Sequence, residues 1–248
     1  MMTTWVALHR LPIQGTNSGR CETVSRADVA MYRHEVATDQ SSVAIALGER
    51  LCEHVLLEGI FVHSAGDYAQ LLVDLTGLRE PTFVSAMNQA AARLGLVHTH
   101  YVDVTGISPG DVSTAFDQGT LAVDLVSSEP VVAKIVTFAQ VDLPVAGVVG
   151  SYTPFIGRAG VVGVKPGYTP AAGGCDVMET DFPLGRSEVT TYVVVLSQQS
   201  ANPLGAAGDA ALALTRSVRA SFARVRTPSG VVVEWIGPPG DVVTSPAT

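Results

Sequence analysis

Lysine is almost absent from this chain, since only two of its fifteen basic residues, Lys134 and Lys165, are lysines. The others are arginines that form no basic block, and the formal net charge is −8 at pH 7. Binding to nucleic acid requires a concentrated cationic face. The composition therefore predicts no nucleic-acid partner, and it makes each lysine an unusual choice.

Cysteine is also scarce, with Cys21, Cys52 and Cys175 widely spaced and no C-x-x-C pair. An odd number at these spacings is typical neither of a zinc cluster nor of a self-sufficient disulfide framework. We therefore expect buried free thiols.

Long apolar runs are missing as well. The longest fall far short of the roughly 20 residues that a membrane helix needs, so the sequence predicts no transmembrane segment. The first residues, MMTTWVALHRLPIQG, lack the basic, apolar and small-residue regions of a secretory signal. Taken by itself, the sequence predicts a soluble cytoplasmic protein, whose 47% of hydrophobic residues suffice for one large domain or two small ones.

Residues 41–130 have the apolar periodicity of helices. Three- and four-residue steps predict two buried faces, namely Leu51, Val55, Leu56 and Ile60, and Phe83, Met87, Ala90, Ala91 and Leu94. Pro81 near the first turn and Gly95 at the end delimit the second helix. Ser113 is expected to cap a third helix that ends before Pro130.

Runs typical of strands follow residue 147 and are separated by Gly/Pro turns: RAGVVGVKPG, AAGGCDVMETDF and SEVTTYVVVLSQ. They predict an antiparallel meander. The next segment, PLGAAGDAALALTRSVRASFARVR, is typical of an amphipathic helix that covers the sheet through Ala211, Leu214, Val218 and Phe222. A last β-like run, GVVVEWI, precedes a Pro/Gly/Ser-rich end that we expect to be frayed.

The whole pattern predicts an α+β fold in which helices precede a small antiparallel sheet packed by a C-terminal helix. We expect the helical part at about 41–146, the sheet and its helix at about 147–226, and a partly flexible C-terminal extension at 227–248. A helical half that meets a sheet half forms a cleft, and a site is expected there.

Two polar stretches could line this cleft. The first, FVHSAGDYA at 61–69, contains Ser64, and the second, GVVGVKPGYTPAAGGC, contains Lys165. A hydroxyl on one wall and an ammonium on the other could bind an anionic acyl compound and move protons during acyl transfer. On neighbouring residues alone, Ser64 can equally be a helix N-cap, and Lys165 is more simply a solvated lysine in a Pro-Gly turn.

At these residues the chain resembles the low-molecular-mass D-alanyl-D-alanine carboxypeptidases, penicillin-binding serine peptidases related in fold to the class A β-lactamases. That family carries Ser-x-x-Lys, Ser-x-Asn and Lys-Thr-Gly motifs in this order. LLEGIFVHSAGDYA is similar to the second motif, and GVKPGYTPAAGGC is similar to the third with its Ala-Gly-x-Cys continuation. Between them, FVSAMNQAAARLGLVHTHYVDVTGISPGDVSTAFD is similar to a further family segment, so the likeness covers about 43–197. The resemblance implies a β-lactamase/DD-peptidase-like α+β fold.

The resemblance also implies a role for each motif residue. Ser64 would relay a proton toward the leaving amine, and Lys165 would hold the substrate's terminal carboxylate and bias the proton network by its charge. Gly167 would let the strand backbone lie close to the substrate. The backbone N–H of Tyr168 would be one donor of the oxyanion hole, with Thr169 just beyond it.

The chain departs from the family pattern at three places. Gly66, on the substrate-binding side, stands where the family has Asn, so an orienting amide is missing. Pro166 stands for Thr, which removes a hydroxyl and a backbone N–H and predicts an edge strand. The nucleophile motif Ser-x-x-Lys is absent, because Val131 and Val162 lie three residues before the two lysines.

The first residues, MMTTWVALHRLP, resemble those that follow Ser-x-x-Lys in the family. Met1 then aligns just after the catalytic lysine, and the family's N-terminal helix and first two strands have no counterpart. We therefore expect residues 1–226 to form an incomplete DD-peptidase-like domain, the downstream part of a longer exported carboxypeptidase. A start site assigned too late, or gene decay, would account for it and for the missing signal peptide.

The reaction that the resemblance implies is serine-type removal of the terminal D-alanine from a peptidoglycan stem peptide. Its expected partners are stem peptides ending in D-Ala-D-Ala and β-lactams, with no cofactor and no metal, in the cell envelope or outside the cell. Two hypotheses remain open. Either the nucleophile lies upstream of Met1, or this is a non-catalytic pseudoenzyme that binds muropeptides or β-lactams.

We expect His63, His98 and His100 to have structural roles. His63 is adjacent to Ser64, but neighbours in a chain rarely meet productively and the family uses no histidine base. His98 and His100 form an H-x-H pattern without a third ligand, which is a weak metal signal, and the family-like segment accounts for Thr99 and His100. Asp117 is expected to be a structural partner on its helix.

Overall fold

A computed structural model describes residues 1–13, 15, 17–184, 187–227, 230–236 and 242–243. The N-terminal part is helical apart from two short paired strands: α1 (Met2–Arg10), β1 (Cys21–Thr23), α2 (Arg26–Ala37), β2 (Arg50–Cys52), α3 (Glu53–His63), α4 (Gly66–Leu75), α5 (Glu80–Arg93), α6 (Ala115–Ser128) and α7 (Pro130–Ile135). The remainder is rich in strands: β3 (Gln140–Leu143), β4 (Gly147–Gly150), β5 (Val161–Thr169), β6 (Gly173–Leu184), β7 (Ser187–Gln198), α8 (Pro203–Ser221), β8 (Phe222–Thr227), β9 (Gly230–Ile236) and β10 (Val242–Val243). The predicted α+β architecture is confirmed.

The predicted helices form with small corrections at their ends. In α5 the expected apolar positions Phe83, Met87, Ala90 and Ala91 are buried, and the chain leaves the helix at Gly95 with φ +71°. Glycine adopts a positive φ more easily than any other residue, so Gly95 ends the helix through its backbone conformation.

Two helix boundaries differ from the prediction. Leu51 lies in β2 rather than on a helical face, because it pairs with Glu22 of β1. The cap of α6 is Thr114 rather than Ser113, since the Thr114 hydroxyl accepts the Asp117 N–H at 3.2 Å. Both errors come from local patterns that fit two neighbouring positions equally well.

The predicted antiparallel meander is confirmed, with strand order β5-β6-β7 and Lys165 opposite Val177. β5 is an edge strand, as expected for a strand that contains Pro166. β9 pairs with β8 and β10 in a separate sheet, so it does not extend the meander beyond β7.

α8 packs against β5, β6 and β7 but not through the predicted face. Leu214 and Val218 are 49% and 36% exposed, and the residues buried in α8 are Ala207, Gly208, Ala211, Leu212 and Thr215. The small residues let the helix lie close to the sheet, which outweighs the larger area of the leucine and valine. The helix ends at Ser221, and Phe222 begins β8.

The prediction of free thiols is wrong for two of the three cysteines. Cys21 and Cys52 lie directly opposite each other in β1 and β2 and form a disulfide, whereas Cys175 is free and partly buried. The two cysteines are 31 residues apart, with α2 between them, so the pairing is set by the antiparallel contact of β1 with β2 and not by sequence spacing.

The core has two parts. The larger joins the helices to the inner face of β5 and β6, and Tyr68, Phe61 and Phe83 are among its largest fully buried side chains. A smaller apolar cluster holds α8 on the other face of the sheet. In the part of the chain that the structure describes, no helix is long and apolar enough to cross a membrane.

Candidate active site

Ser64 occupies the turn between α3 and α4. It has φ 60° and ψ 33°, a left-handed conformation that is uncommon for a residue with a side chain. The N-cap residue of α4 is Ala65, so the N-cap role predicted as an alternative for Ser64 is wrong. The turn leaves the Ser64 hydroxyl available for an interaction outside its own helices.

Lys165 provides that interaction from β5. Its Nζ donates to Ser64 Oγ at 2.8 Å and to the carbonyl oxygen of Pro166 at 2.6 Å. The residue is partly buried and lies inside a paired strand, so the alternative of a solvated turn lysine is wrong. Two residues 101 positions apart thus form one hydroxyl–ammonium pair between the helical half and the sheet.

The electrostatic surroundings of Lys165 hold its ammonium near the balance between charged and neutral forms. Burial lowers the pKa of Lys165 to about 8, against the opposing effect of Asp176. Burial also raises the pKa of Asp176 to about 7, against the opposing effect of Lys165. A lysine in this state can bind an anion or exchange a proton at neutral pH.

The amino group of Met1, which precedes α1, interacts electrostatically with Lys165. Burial, and to a smaller extent the charge of Lys165, lower the pKa of the Met1 α-amino group to about 5. Met2 to Leu8 are buried, and α1 packs against α4 and α5. This is the neighbourhood in which the resemblance places the residue after the family's catalytic lysine.

Gly66 is accompanied by a side chain that the sequence analysis did not identify, Glu35 of α2. A Cβ on Gly66 would lie 3.1 Å from Glu35 Oε1, and Glu35 Oε2 accepts the Asp67 N–H at 3.0 Å. Glu35 is 5% exposed. Its carboxyl group therefore lies beside the position from which the family's Asn side chain would extend, and only the fold reveals this because α2 and α4 are distant in sequence.

Asp67 completes a pair of buried carboxyl groups beneath this turn. Its oxygens accept the Val43 N–H at 3.1 and 3.3 Å, and Oδ1 accepts the Tyr68 N–H at 3.0 Å. Burial raises the pKa of Asp67 and of Glu35 to about 7, and for Asp67 the nearby Glu35 adds to the increase. The backbone donors oppose these increases in both groups.

The remaining residues of the predicted third motif continue along β5. An added Cβ at Gly167 would meet no atom within 4 Å, and Tyr168 is 50% exposed. The Thr169 hydroxyl accepts the Ala172 N–H at 3.0 Å in the turn to β6. The open surface at Gly167 leaves room for a ligand along the strand, while the roles proposed for Tyr168 and Thr169 stay predictions.

His63, the residue before Ser64, contacts the last residue of β4, Gly150, and the nearby Tyr152. Its Nδ1 lies 3.1 Å from the Gly150 carbonyl oxygen, and its Nε2 lies 3.2 Å from the Tyr152 hydroxyl. The rings of His63 and Tyr152 stack with centroids 4.5 Å apart. These contacts agree with the structural interpretation of His63.

The H-x-H segment is organised by Asp117. Asp117 Oδ2 accepts the His98 N–H at 2.9 Å and the Thr99 hydroxyl at 2.7 Å. His100 forms an isolated β-bridge with Val112. Asp117 is therefore a structural partner, as predicted.

Comparison with known protein families gives a match over most of the chain. The pattern of the D-alanyl-D-alanine carboxypeptidase family, peptidase family S11, matches residues 1–199. The D-alanyl-D-alanine carboxypeptidase of Streptomyces sp. (strain K15) is 29% identical over 188 residues, covering 66% of this chain and 61% of that protein. D-alanyl-D-alanine carboxypeptidase DacD of Escherichia coli (strain K12) is 31% identical over 109 residues, covering 44% and 28%. The chain spans less than two thirds of the length of these relatives.

Solved structures show the same fold. The crystal structure of the Streptomyces K15 DD-transpeptidase superposes with a TM-score of 0.70 at 22% identity, covering 86% of this chain and 85% of that chain. D-alanyl-D-alanine carboxypeptidase from Mycobacterium tuberculosis H37Rv gives a TM-score of 0.68 at 22% identity, covering 94% and 82%. These structures show the fold, and the match over residues 1–199 shows that the chain belongs to the D-alanyl-D-alanine carboxypeptidase family.

Proposed function

We propose that this chain forms the anion-binding and proton-relay half of a serine-type D-alanyl-D-alanine carboxypeptidase centre. Its ligand is a peptidoglycan stem peptide ending in D-Ala-D-Ala, and β-lactams are competing ligands. The observation that carries the proposal is the 2.8 Å hydrogen bond between Lys165 Nζ and Ser64 Oγ. It joins residues that match two family motifs from opposite halves of the molecule.

The chemistry follows from this pair. Lys165 attracts the terminal carboxylate of the peptide, and its hydrogen bond orients the Ser64 hydroxyl to pass a proton toward the leaving amine. The exposed backbone at Gly167 and Tyr168 offers the edge of β5 to the extended peptide. Pro166 has no N–H, so the hydrogen bonds to the peptide are fewer than in a Lys-Thr-Gly strand.

The same proposal includes a limit on catalysis. None of the serines in the 248 residues stands three positions before a lysine, so these residues hold no Ser-x-x-Lys nucleophile. Loss of the nucleophile costs on the order of 10⁶ in turnover in another serine peptidase. We infer that the chain as given binds stem peptides without forming an acyl-enzyme.

A second candidate function is a permanently non-catalytic protein that binds muropeptides or β-lactams. Gly66 and Pro166 favour it, because each replaces a polar family residue with one that cannot donate through a side chain. In the first candidate, a Ser-x-x-Lys segment precedes Met1 and completes the centre. The in-frame codons upstream of Met1 separate the two.

The proposed location is the cell envelope or the extracellular space. The Cys21–Cys52 disulfide supports it, since such bonds persist mainly in oxidising compartments. Mass spectrometry of the native protein after alkylation checks this point. A disulfide should leave Cys175 as the one alkylated cysteine, whereas alkylation of all three contradicts the exported location.

Labelling with a fluorescent penicillin tests the proposed function. We expect no covalent label on the 248-residue protein, and a label on a protein extended upstream to include Ser-x-x-Lys. Calorimetry should detect acetyl-D-alanyl-D-alanine binding to the 248-residue protein and loss of that binding in Lys165→Met, with Lys134→Met as the matched control. Covalent labelling of the 248-residue protein, or unchanged binding in Lys165→Met, would overturn it.

A further inference from the structure

Ser64 has a backbone conformation that its own side chain disfavours. Its φ of 60° and ψ of 33° lie in the left-handed region, where the Cβ of any residue other than glycine is crowded. Such a conformation persists only where the surrounding structure holds it. Because the Ser64 hydroxyl accepts a hydrogen bond from Lys165 Nζ, the contacts that hold this turn also determine the geometry of the site.

The segment that follows α2 bonds to the turn on both sides of Ser64. The Ser41 hydroxyl donates to the carbonyl oxygen of His63, the residue before Ser64, at 3.2 Å. The Ser41 carbonyl oxygen accepts the N–H of Gly66, two residues after Ser64, at 2.8 Å. One residue outside α3 and α4 therefore fixes the backbone before and after the left-handed position.

Glu35 of α2 caps the helix that begins after this turn. The N-cap residue of α4, Ala65, has no side-chain acceptor, so the first N–H groups of the helix need partners from elsewhere. Glu35 Oε2 accepts the Asp67 N–H at 3.0 Å, and its side chain is buried. In its ionised form the carboxyl group is further favoured by the positive end of the helix dipole.

Asp67 makes the connection between the two segments reciprocal. Its carboxyl oxygens accept the Val43 N–H at 3.1 and 3.3 Å, while its own N–H donates to Glu35. The chain from α2 to Val43 thus supports the turn and is supported by it. Both contacts are buried, so water cannot replace either partner without cost.

We propose that Glu35 and Ser41 position Ser64, because they hold the turn from α3 to α4 in the conformation in which the Ser64 hydroxyl meets the Lys165 ammonium. Both are positioning residues that act through Ser64 and need not touch the ligand. Glu35 has the larger effect, since its side chain makes the cap, whereas the bond from Ser41 to Gly66 belongs to the main chain and survives substitution. The inference deepens the proposed function, on which its ligand-binding part rests.

The scarcity of lysine makes the test direct. With [ε-13C]lysine the protein gives two Cε resonances, from Lys134 and Lys165, and Lys134→Arg assigns them. Ser64→Ala gives the resonance of Lys165 without its hydroxyl partner. We expect Glu35→Ala to move the Lys165 resonance toward that position. Glu35→Gln keeps an oxygen acceptor for the Asp67 N–H and should leave the resonance near its wild-type position.

Glu53 provides the matched control. It is also a buried glutamate at the start of a helix, α3, and its Oε2 accepts the Arg20 N–H at 3.4 Å. Since α3 has 11 residues, Glu53 lies roughly 16 Å from the Ser64 end of that helix. Glu53→Ala should therefore leave the Lys165 resonance unchanged. A role of Glu35 confined to folding would leave that resonance unchanged in folded Glu35→Ala as well.

A ligand arm measures the consequence for binding. In Glu35→Ala only part of the molecules should hold Ser64 and Lys165 in the competent arrangement, so acetyl-D-alanyl-D-alanine should bind about fivefold more weakly in calorimetry. Glu35→Gln and Glu53→Ala should bind the peptide as the wild-type protein does. Equal weakening in Glu35→Ala and Glu53→Ala would overturn the inference, because it would reflect a general loss of stability.

The other outcomes that overturn the inference are distinct from those that overturn the proposed function. An unchanged Lys165 resonance in folded Glu35→Ala overturns it. If that variant does not fold, Ser41→Ala serves, since it removes one hydroxyl and should move the Lys165 resonance in the same direction by a smaller amount; absence of movement overturns the inference. Failure of the proposed function is read separately, from peptide binding that survives Lys165→Met.

Discussion

Two buried aspartates flank the site in contrasting surroundings. On the helical side, formed by α2 and the turn from α3 to α4, Asp67 accepts the N–H groups of Val43 and Tyr68. On the sheet side, formed by β5 and β6, Asp176 accepts no hydrogen bond from the described residues. Both are 0% exposed. Hydrogen bonds therefore stabilise the carboxyl group on the helical side, whereas the carboxyl group on the sheet side is buried without one, and burial raises its pKa against the opposing effect of Lys165.

The departures from the family pattern follow the same division. Next to Gly66, Glu35 brings a carboxyl group close and binds the adjacent N–H of Asp67. Next to Pro166, the neighbouring Asp176 adds a charge without a hydrogen bond. On the helical side, tertiary contacts made by Glu35 compensate for the side chain that Gly66 lacks. On the sheet side, no hydrogen bond from the described residues compensates for the buried carboxyl group of Asp176.

The largest expected effect on stability comes from removal of the Cys21–Cys52 disulfide on the helical side. Cys52 lies just before α3, and its disulfide to Cys21 closes a loop of 31 residues. Removal of a cross-link over such a loop costs about 3–4 kcal/mol, so Cys21→Ala/Cys52→Ala should lower the free energy of unfolding by that amount in urea titrations. Cys175→Ser, on the sheet side, should change it by about 0.5 kcal/mol or less. An equal loss of unfolding free energy in Cys175→Ser and in the double variant would contradict the proposed difference between the two sides.

Substitution of the two aspartates should have opposite signs. Asp67→Asn replaces one of the two acceptor oxygens with an NH₂ group, which leaves the Val43 and Tyr68 N–H groups to share the other, and it should destabilise the fold by about 1–3 kcal/mol. Asp176→Leu removes a buried carboxyl group without a hydrogen bond and should stabilise the fold by a similar amount, about 1–3 kcal/mol. Chemical denaturation of both variants at pH 7.5 measures the signs. Destabilisation by both would show that Asp176 is satisfied in solution.

Stability should fall as the pH rises. Burial raises the pKa of Glu35, Glu53, Asp67 and Asp176 to about 7, above the values of the unfolded chain. Through these four groups the folded state binds more protons, which outweighs the opposite effect of the Met1 amino group with its pKa lowered to about 5, so the free energy of unfolding is highest at about pH 4 and decreases through about pH 7. Between pH 5 and 8 we expect a loss of at least about 1 kcal/mol, and Glu35→Gln should reduce it. A stability that increases over this range would refute the assignment.

The smallest expected effect tests the contact between Glu35 and Gly66. Gly66→Asn restores the family residue but places its Cβ 3.1 Å from Glu35 Oε1, so it should cost about 1 kcal/mol. In a Glu35→Ala background the same change should cost less, with a coupling energy of about 0.5 kcal/mol or more. Additive effects would show that Glu35 does not occupy the space of the missing side chain.

Local sequence patterns were sufficient to predict much of the fold. The strands β5, β6 and β7 pair in sequence order, and the hairpins between them need only short-range contacts. The buried face of α5 repeats every three or four residues, and Gly95 ends the helix through its positive φ. The face of α8 could not be predicted in this way, because Leu214 and Ala211 fit the same periodicity and only close packing on the sheet favours the smaller residues.

The residues of the site also fall into those that local sequence predicts and those that depend on tertiary packing. Ser64 and Lys165 were identified because they match motifs in a fixed order, and such matches need no knowledge of contacts. Glu35 could not be found, since its relation to Gly66 depends on how α2 packs. The pairing of Cys21 with Cys52 was missed for the same reason, because an odd cysteine count gives no pairing.

By itself, the sequence determined the α+β class, the order of the motifs and the absence of Ser-x-x-Lys, because these depend on residue identity and on neighbours along the chain. Tertiary structure alone decided that Lys165 donates to Ser64 across 101 positions and that Cys21 meets Cys52. It also decided that Asp176 is buried without a hydrogen bond. Contact, burial and charge coupling depend on distances in space, which sequence spacing does not specify.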